Sequence, residues 1–113
     1  MFLYAKYRTG SNSLIFIPTV YDYLGCWQNH GINFLPEIPL LHPKDHKTSL
    51  LHRCANAALL SGIPVFGISN NSVCVGSVHA SLIYMRYGAS TACYNGTGGP
   101  STMDVYGLDG KNV

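Results

Sequence analysis

The sequence predicts an α+β fold: a small disulfide-stapled module with one main helix packed on an antiparallel sheet. Three observations predict it. One stretch, "KTSLLHRCANAALLSGIP", carries helix start and stop signals around an apolar face. Short β-forming runs lie on either side of it, separated by Gly, Asn and Pro turns. Four widely spaced cysteines, Cys26, Cys54, Cys74 and Cys93, supply the staples.

The elements follow in chain order. Residues 1 to 20 form an N-terminal extension or edge strand, in which "SLIFIPTV" reads as a short strand stopped by Pro18 or as a leader docked on the domain edge. "YDYLGCW", residues 21 to 27, alternates as a strand does. Pro36, Pro39 and Pro43 make residues 28 to 47 a long loop. The helix begins at Thr48 or Ser49 as N-cap and stops at Gly62, with Pro64 beyond, and Leu50, Leu51, Cys54, Ala58 and Leu59 share its apolar face. "PVFGIS" and "SVCVGS" flank an Asn70-Asn71 turn and predict a hairpin. "VHASLIYMRYG" reads as a helical turn or two closed by Gly88. "TMDVYGL" is a last strand after the turn "NGTGGP", and residues 109 to 113 are a tail.

Composition narrows the function classes. The chain has 113 residues, enough for one domain, and at that size burial benefits from cross-links. Only 11% of residues are charged, against roughly 25% in ordinary globular chains. The net charge is +2 and its seven basic residues are scattered, which argues against nucleic acid. No apolar run approaches the roughly 18 residues that span a membrane. The cysteine gaps of 28, 20 and 19 positions contain no CxxC pair, so two disulfides in an oxidising, extracellular compartment are expected. The residues alone leave all three pairings open. Two sequons, Asn70-Asn71-Ser72 and Asn95-Gly96-Thr97, agree with that compartment and make Asn70 and Asn95 candidate glycosylation sites. The first twenty residues break their apolar character at Lys6, Arg8 and Ser11, unlike a signal peptide, so a fragment of a longer secreted protein is expected.

One stretch of residues resembles a known family. "YLGCW", a helical Cys, "FGIS" with "CVG", and "YMRYGASTACYNGTGGPSTMDVY" are similar to the WSC domain, a small extracellular carbohydrate-binding module. The likeness is to the form with fewer cysteines found in secreted and surface proteins of marine invertebrates. It covers residues 21 to 108, and its specific part is Tyr84, Tyr87-Gly88, Ser90, Cys93, Gly96, Gly98-Gly99 and Asp104-Val105-Tyr106. Val75 stands where an aromatic is usual. The PAN or apple domain is the structural alternative. The resemblance implies the pairs Cys26–Cys93 and Cys54–Cys74. It also implies a non-catalytic role in an adhesive, matrix or cell-surface protein, with glycans or extracellular proteins as partners.

Carbohydrate binding needs aromatic faces and polar neighbours. Tyr84, Tyr87 and Tyr94 are candidates for the first, Asn95 and Asp104 for the second. The competing reading makes Tyr87 and Tyr106 core and packs Trp27 against the helix. Among the histidines, His42-x3-His46 has a metal-ligand spacing, but Pro43 opposes the helix that spacing needs, and no metal or other cofactor is expected. No cysteine carries the local signature of a thiol nucleophile, so no enzyme is expected. The alternative function is protein–protein interaction or self-assembly through the N-terminal segment, because an unpaired strand can extend a neighbour's sheet.

The compartment reading has a direct check. Intact mass of the protein from its native source is expected to fall short of the four-thiol value by four hydrogens. Four free thiols would end the extracellular reading.

Overall fold

A computed structural model describes residues 2–8, 14–30, 35–40, 49–70 and 72–108, those up to Val20 as backbone alone. Thr48, His42 and His46, the middle residue of the first sequon and the 109–113 tail lie outside the described residues. Five strands and two helices follow the order β1 (Phe2–Arg8), β2 (Leu14–Gln28), α1 (Leu50–Leu60), β3 (Val65–Ser69), β4 (Val73–Ser77), α2 (Ala80–Ile83) and β5 (Thr102–Leu108). The sheet runs β1-β2-β5-β3-β4, and every pairing is antiparallel. This is the α+β class that the sequence predicts. Its last strand in sequence, β5, lies in the middle of the sheet.

β2 is longer than expected. It runs unbroken through Pro18, which sits opposite Tyr4 of β1. Proline lacks an N–H and is tolerated where one side of the strand needs no donor. The Leu14–Val20 half of β2 pairs with β1 alone, and the Tyr21–Gln28 half pairs with β5. So the expected stop at Pro18 is absent: the proline falls on a half-strand that, among the described residues, pairs with β1 alone. Within the second half, Gly25 at φ +110 forms an irregularity next to Leu24. The indole N–H of Trp27 donates to the Leu24 carbonyl at 2.9 Å, and a Cβ on Gly25 would lie 3.0 Å from that nitrogen. The bulge therefore suits glycine twice over.

α1 begins and ends where its caps direct. The Ser49 hydroxyl accepts from the His52 N–H at 3.1 Å, satisfying one orphan donor of the first turn. At the other end, Gly62 at φ +72 turns the chain, with Ile63 N donating to the Ala58 carbonyl (2.9 Å) and Gly62 N to the Leu59 carbonyl (3.2 Å). That is a Schellman stop. The inner face of α1 carries Cys54, Ala55 and Ala58, all fully buried. Two alanines let the helix lie close on the sheet, where it packs with Tyr21, Phe66, Ile68, Cys74, Tyr106 and Leu108. The opposite face of the sheet is also covered. There Val65, Val75, Met103 and Val105 pack with Leu35, Ala80 and the half-buried Trp27, Ile83 and Tyr84. The strands alternate between these two cores, as a sheet buried on both sides must.

The disulfides are Cys26–Cys93 and Cys54–Cys74, with Cα separations of 6.0 and 5.5 Å. The second ties α1 to β4, a helix to an outer strand. The first ties β2 to the loop before β5. The open edge of β4 is closed by residues 36–38: Gly76 N donates to the Pro36 carbonyl (2.9 Å) and Ile38 N to the Cys74 carbonyl (2.7 Å). Among the described residues, β1 pairs only with β2.

The two staples are expected to respond differently to a reductant. Cys54 and Cys74 are 0% and 2% exposed, whereas Cys26 and Cys93 are half-buried, so Cys26–Cys93 should open first under mild thiol. Replacing Cys26 and Cys93 together by Ser, which frees a 67-residue separation, should cost about 4 kcal/mol in denaturant unfolding; the Cys54–Cys74 pair, spanning 20, should cost about 3 kcal/mol from chain entropy. Peptide mapping during partial reduction and chemical denaturation check both.

Candidate functional site

Two neighbouring parts of the molecule carry the candidate residues: the glycine-rich loop from Cys93 to Thr102, and the turn after α2. The loop is held from below. Asp104, in the central strand, is 1% exposed and lies in register with Cys26 of β2 and Ile68 of β3. A carboxylate in such a place needs hydrogen-bond donors on its oxygens. It has two. The Tyr23 hydroxyl donates to Oδ1 in a short hydrogen bond, and the Gly98 backbone N–H donates to Oδ2 at 2.9 Å. Beside it, the Tyr106 hydroxyl donates to the Gly96 carbonyl at 2.7 Å. The Cys26–Cys93 bond holds the start of the same loop.

The loop's glycines are required by this closeness. A Cβ on Gly98, which sits at φ +78, would fall 2.4 Å from the Ile68 carbonyl oxygen. One on Gly99 would fall 2.3 Å from the Ala92 carbonyl oxygen. Both neighbours are backbone and cannot swing away.

On its outer side, the loop makes a tight turn in which Tyr94 N donates to the Gly98 carbonyl and Thr97 N to the Tyr94 carbonyl, each at 3.1 Å. Tyr94 projects from it, 73% exposed. Asn95, next to it, is exposed at φ +53. Tyr87 is 42% exposed and meets His30 edge-on, with ring centroids 5.5 Å apart. His30 is in a short hydrogen bond with the Gln28 side-chain oxygen. Residues 88–90 run along β2, with Gln28 N donating to the Gly88 carbonyl (2.9 Å) and Ser90 N to the Cys26 carbonyl (3.0 Å). So the Tyr87–His30–Gln28 group stands on backbone fixed to the sheet.

The five candidate residues therefore divide. Tyr94, Asn95 and Tyr87 are at the surface. Tyr84 is half-buried and packs edge-on against Trp27 at 5.4 Å. Asp104 is beneath the loop, with both oxygens accepting protein donors, so it supports the surface and is not part of it. Of the residues expected to be core, Tyr106 is 5% exposed and belongs there, whereas Tyr87 does not. Trp27 packs on the face away from the main helix, against Tyr84, because the irregularity at Gly25 sets which side the following residues take. Tyr23, 56% exposed, was not marked by its sequence neighbourhood. The available signal was the lone acid in the apolar strand "TMDVYGL", which demands a donor from elsewhere in the fold.

The centre's two sulfurs are bonded to each other. The sulfurs of Cys26 and Cys93 and an Asp104 oxygen lie within 4.8 Å of one another, a spacing that could suit a metal. Joined in this way, the sulfurs are not the thiolates that such a site uses. Neither family models nor curated proteins show a match to the chain.

Tyrosine ionisation should report on the anchor. Although over half of Tyr23 is exposed, its hydroxyl end is turned toward Asp104. Desolvation, the hydrogen bond and the carboxylate charge push its pKa up to about 12. Burial, then Asp104, then Tyr23 and Tyr21 push Tyr106 up as well, and burial raises Tyr21. These phenols ionise near pH 10 in the unfolded chain but later in the folded one. Their stabilising contribution is whole below about pH 10 and drains away as pH rises toward 12. Tyrosinate absorbance should lag in the folded protein and catch up on unfolding. In Tyr23→Phe, the lag should shrink and stability at neutral pH should fall by about 1.5 kcal/mol, the worth of one hydrogen bond to a charged group.

Proposed function

We propose that this chain is an extracellular, non-catalytic binding module whose ligand is a carbohydrate. The observation that carries the reading is Tyr94: an aromatic ring 73% exposed on a loop whose backbone is held by a disulfide and a buried carboxylate. A sugar's C–H face packs on such a ring, and neighbouring amides serve its hydroxyls. A ring on pre-ordered backbone loses little freedom when a ligand arrives. Asn95 stands beside Tyr94, and Tyr87 with His30 and Gln28 offers a second aromatic–polar group. The two disulfides are compatible with an oxidising compartment. The likeness of residues 21 to 108 to the WSC domain supports the same reading. Within an adhesive, matrix or surface protein, such a module would supply recognition without a reaction.

A second reading, a protein-binding or self-assembly module, is favoured by the sheet's two ends. Residues 36–38 cover the edge at β4, while among the described residues β1 pairs with nothing but β2. A strand edge of that kind can accept another chain's strand.

A glycan array with the oxidised protein tests the first reading. Binding should weaken about tenfold in Tyr94→Ala or Tyr87→Ala, the scale of one stacked aromatic. The unfolding curve should barely move in Tyr94→Ala, since that ring is 73% exposed. Absence of any glycan binding, together with oligomers that grow with concentration in sedimentation, would favour the assembly reading instead.

A further inference from the structure

We infer that Asn70 and Asn95 are N-glycosylation acceptors whose oligosaccharides leave from one end of the sheet. The inference takes its compartment from the extracellular reading and does not depend on glycan binding.

Both asparagines open a sequon, Asn70-Asn71-Ser72 and Asn95-Gly96-Thr97. A short sequon alone is weak. The folded positions add to it. Asn70 is exposed at the apex of the β3–β4 hairpin, at φ +52, and Asn95 is exposed at the apex of the glycine-rich loop, at φ +53. An oligosaccharide is bulky and hydrated, so only a side chain that leaves the surface at a turn can carry one without disturbing a core. Among the described residues, neither side-chain amide is engaged in a hydrogen bond. Of the asparagines that open no sequon, the two among the described residues sit differently. Asn29 donates its amide to the Ser69 hydroxyl at 3.0 Å, and the Asn56 side-chain oxygen on α1 is buried. Among the described residues, the sequon asparagines are thus exposed, while Asn29 and Asn56 are half-buried.

The two acceptors also share one end of the sheet. Gly98 packs so tightly on the end of β3 that its missing Cβ would lie 3.0 Å from Ser69 Cα, one residue before Asn70. Gly98 in turn closes the turn that carries Asn95. An oligosaccharide on each would therefore leave the protein from the same end of the sheet. An oligosaccharide on Asn95 would stand next in sequence to Tyr94.

The modification balances with a lipid-linked pyrophosphoryl oligosaccharide as co-substrate. The Asn amide nitrogen forms a bond to the sugar's anomeric carbon and loses a proton. The carbon–oxygen bond to the pyrophosphate breaks, and the lipid pyrophosphate leaves with the electron pair.

The test translates the full chain, behind a cleavable leader, into microsomes and reads occupancy on denatured protein, so folding of a variant does not matter. Two oligosaccharide mass steps are expected, and peptide N-glycosidase in heavy-oxygen water should convert both Asn70 and Asn95 to labelled Asp. Ser72→Ala and Thr97→Ala should each remove one step, and Ser72→Thr and Thr97→Ser should each restore it. An unlabelled Asn at either position in translocated chains overturns the inference for that position. Glycan binding measured on unglycosylated protein would be unaffected by that failure, so the two readings fail separately.

Discussion

Asp104 sits in the central strand, between Cys26 on one side and Ile68 on the other, and accepts from Tyr23 and from the backbone of Gly98. A carboxylate in so dry a position would be costly without those donors. The requirement runs both ways. Because Gly98 must present its N–H to Asp104, the loop must lie flat on the end of β3. Because it lies flat, positions 98 and 99 admit no side chain. The Tyr106 hydroxyl, reaching Gly96 from the same face of the same strand, secures the loop two residues earlier. One acid and one phenol thus hold the path of this segment.

The staples complete what these hydrogen bonds begin. Cys54–Cys74 lies in the dry layer between α1 and the sheet and fixes the lone long helix to an outer strand. Cys26–Cys93 reaches the loop from the other direction, beside the carboxylate. A domain of this size buries a limited core, and here that core is divided over two faces of one sheet. Cross-links reduce the entropy that such a divided core must overcome.

This arrangement separates support from display. The supporting groups are joined to one another: the buried Asp104 accepts from Tyr23 and Gly98, and Tyr106 donates to Gly96. Those on display, Tyr94, Asn95, Tyr87 and Asn70, contribute little to the core and ride on turns that glycine and positive φ make possible. A surface built that way can accept a ligand or a linked oligosaccharide without disturbing the fold.

Local chemistry is legible in the amino-acid sequence by itself. Ser49 and Gly62 bound the helix through near-neighbour hydrogen bonds, and Asn70 marks a hairpin through its own backbone preference. The apolar runs at 65–69, 73–77 and 102–108 read as strands from alternation and β-forming residues. Cysteine number and spacing point to two cross-links, and the structure has both. What the residues could not show was decided by contacts distant in sequence. Strand order places the last strand in the middle, and only that placement buries Asp104 and brings Tyr23, eighty-one positions away, onto it. Pro18 reads as a stop locally, yet the strand continues past it, opposite Tyr4 of β1, on a half that among the described residues has one paired neighbour. Tyr87 and Tyr106 look alike in the sequence, and one is surface while the other is core, because burial depends on what the rest of the chain lays over a residue. Near-neighbour forces decide the elements; which residue is support and which is display is decided only once the sheet has assembled.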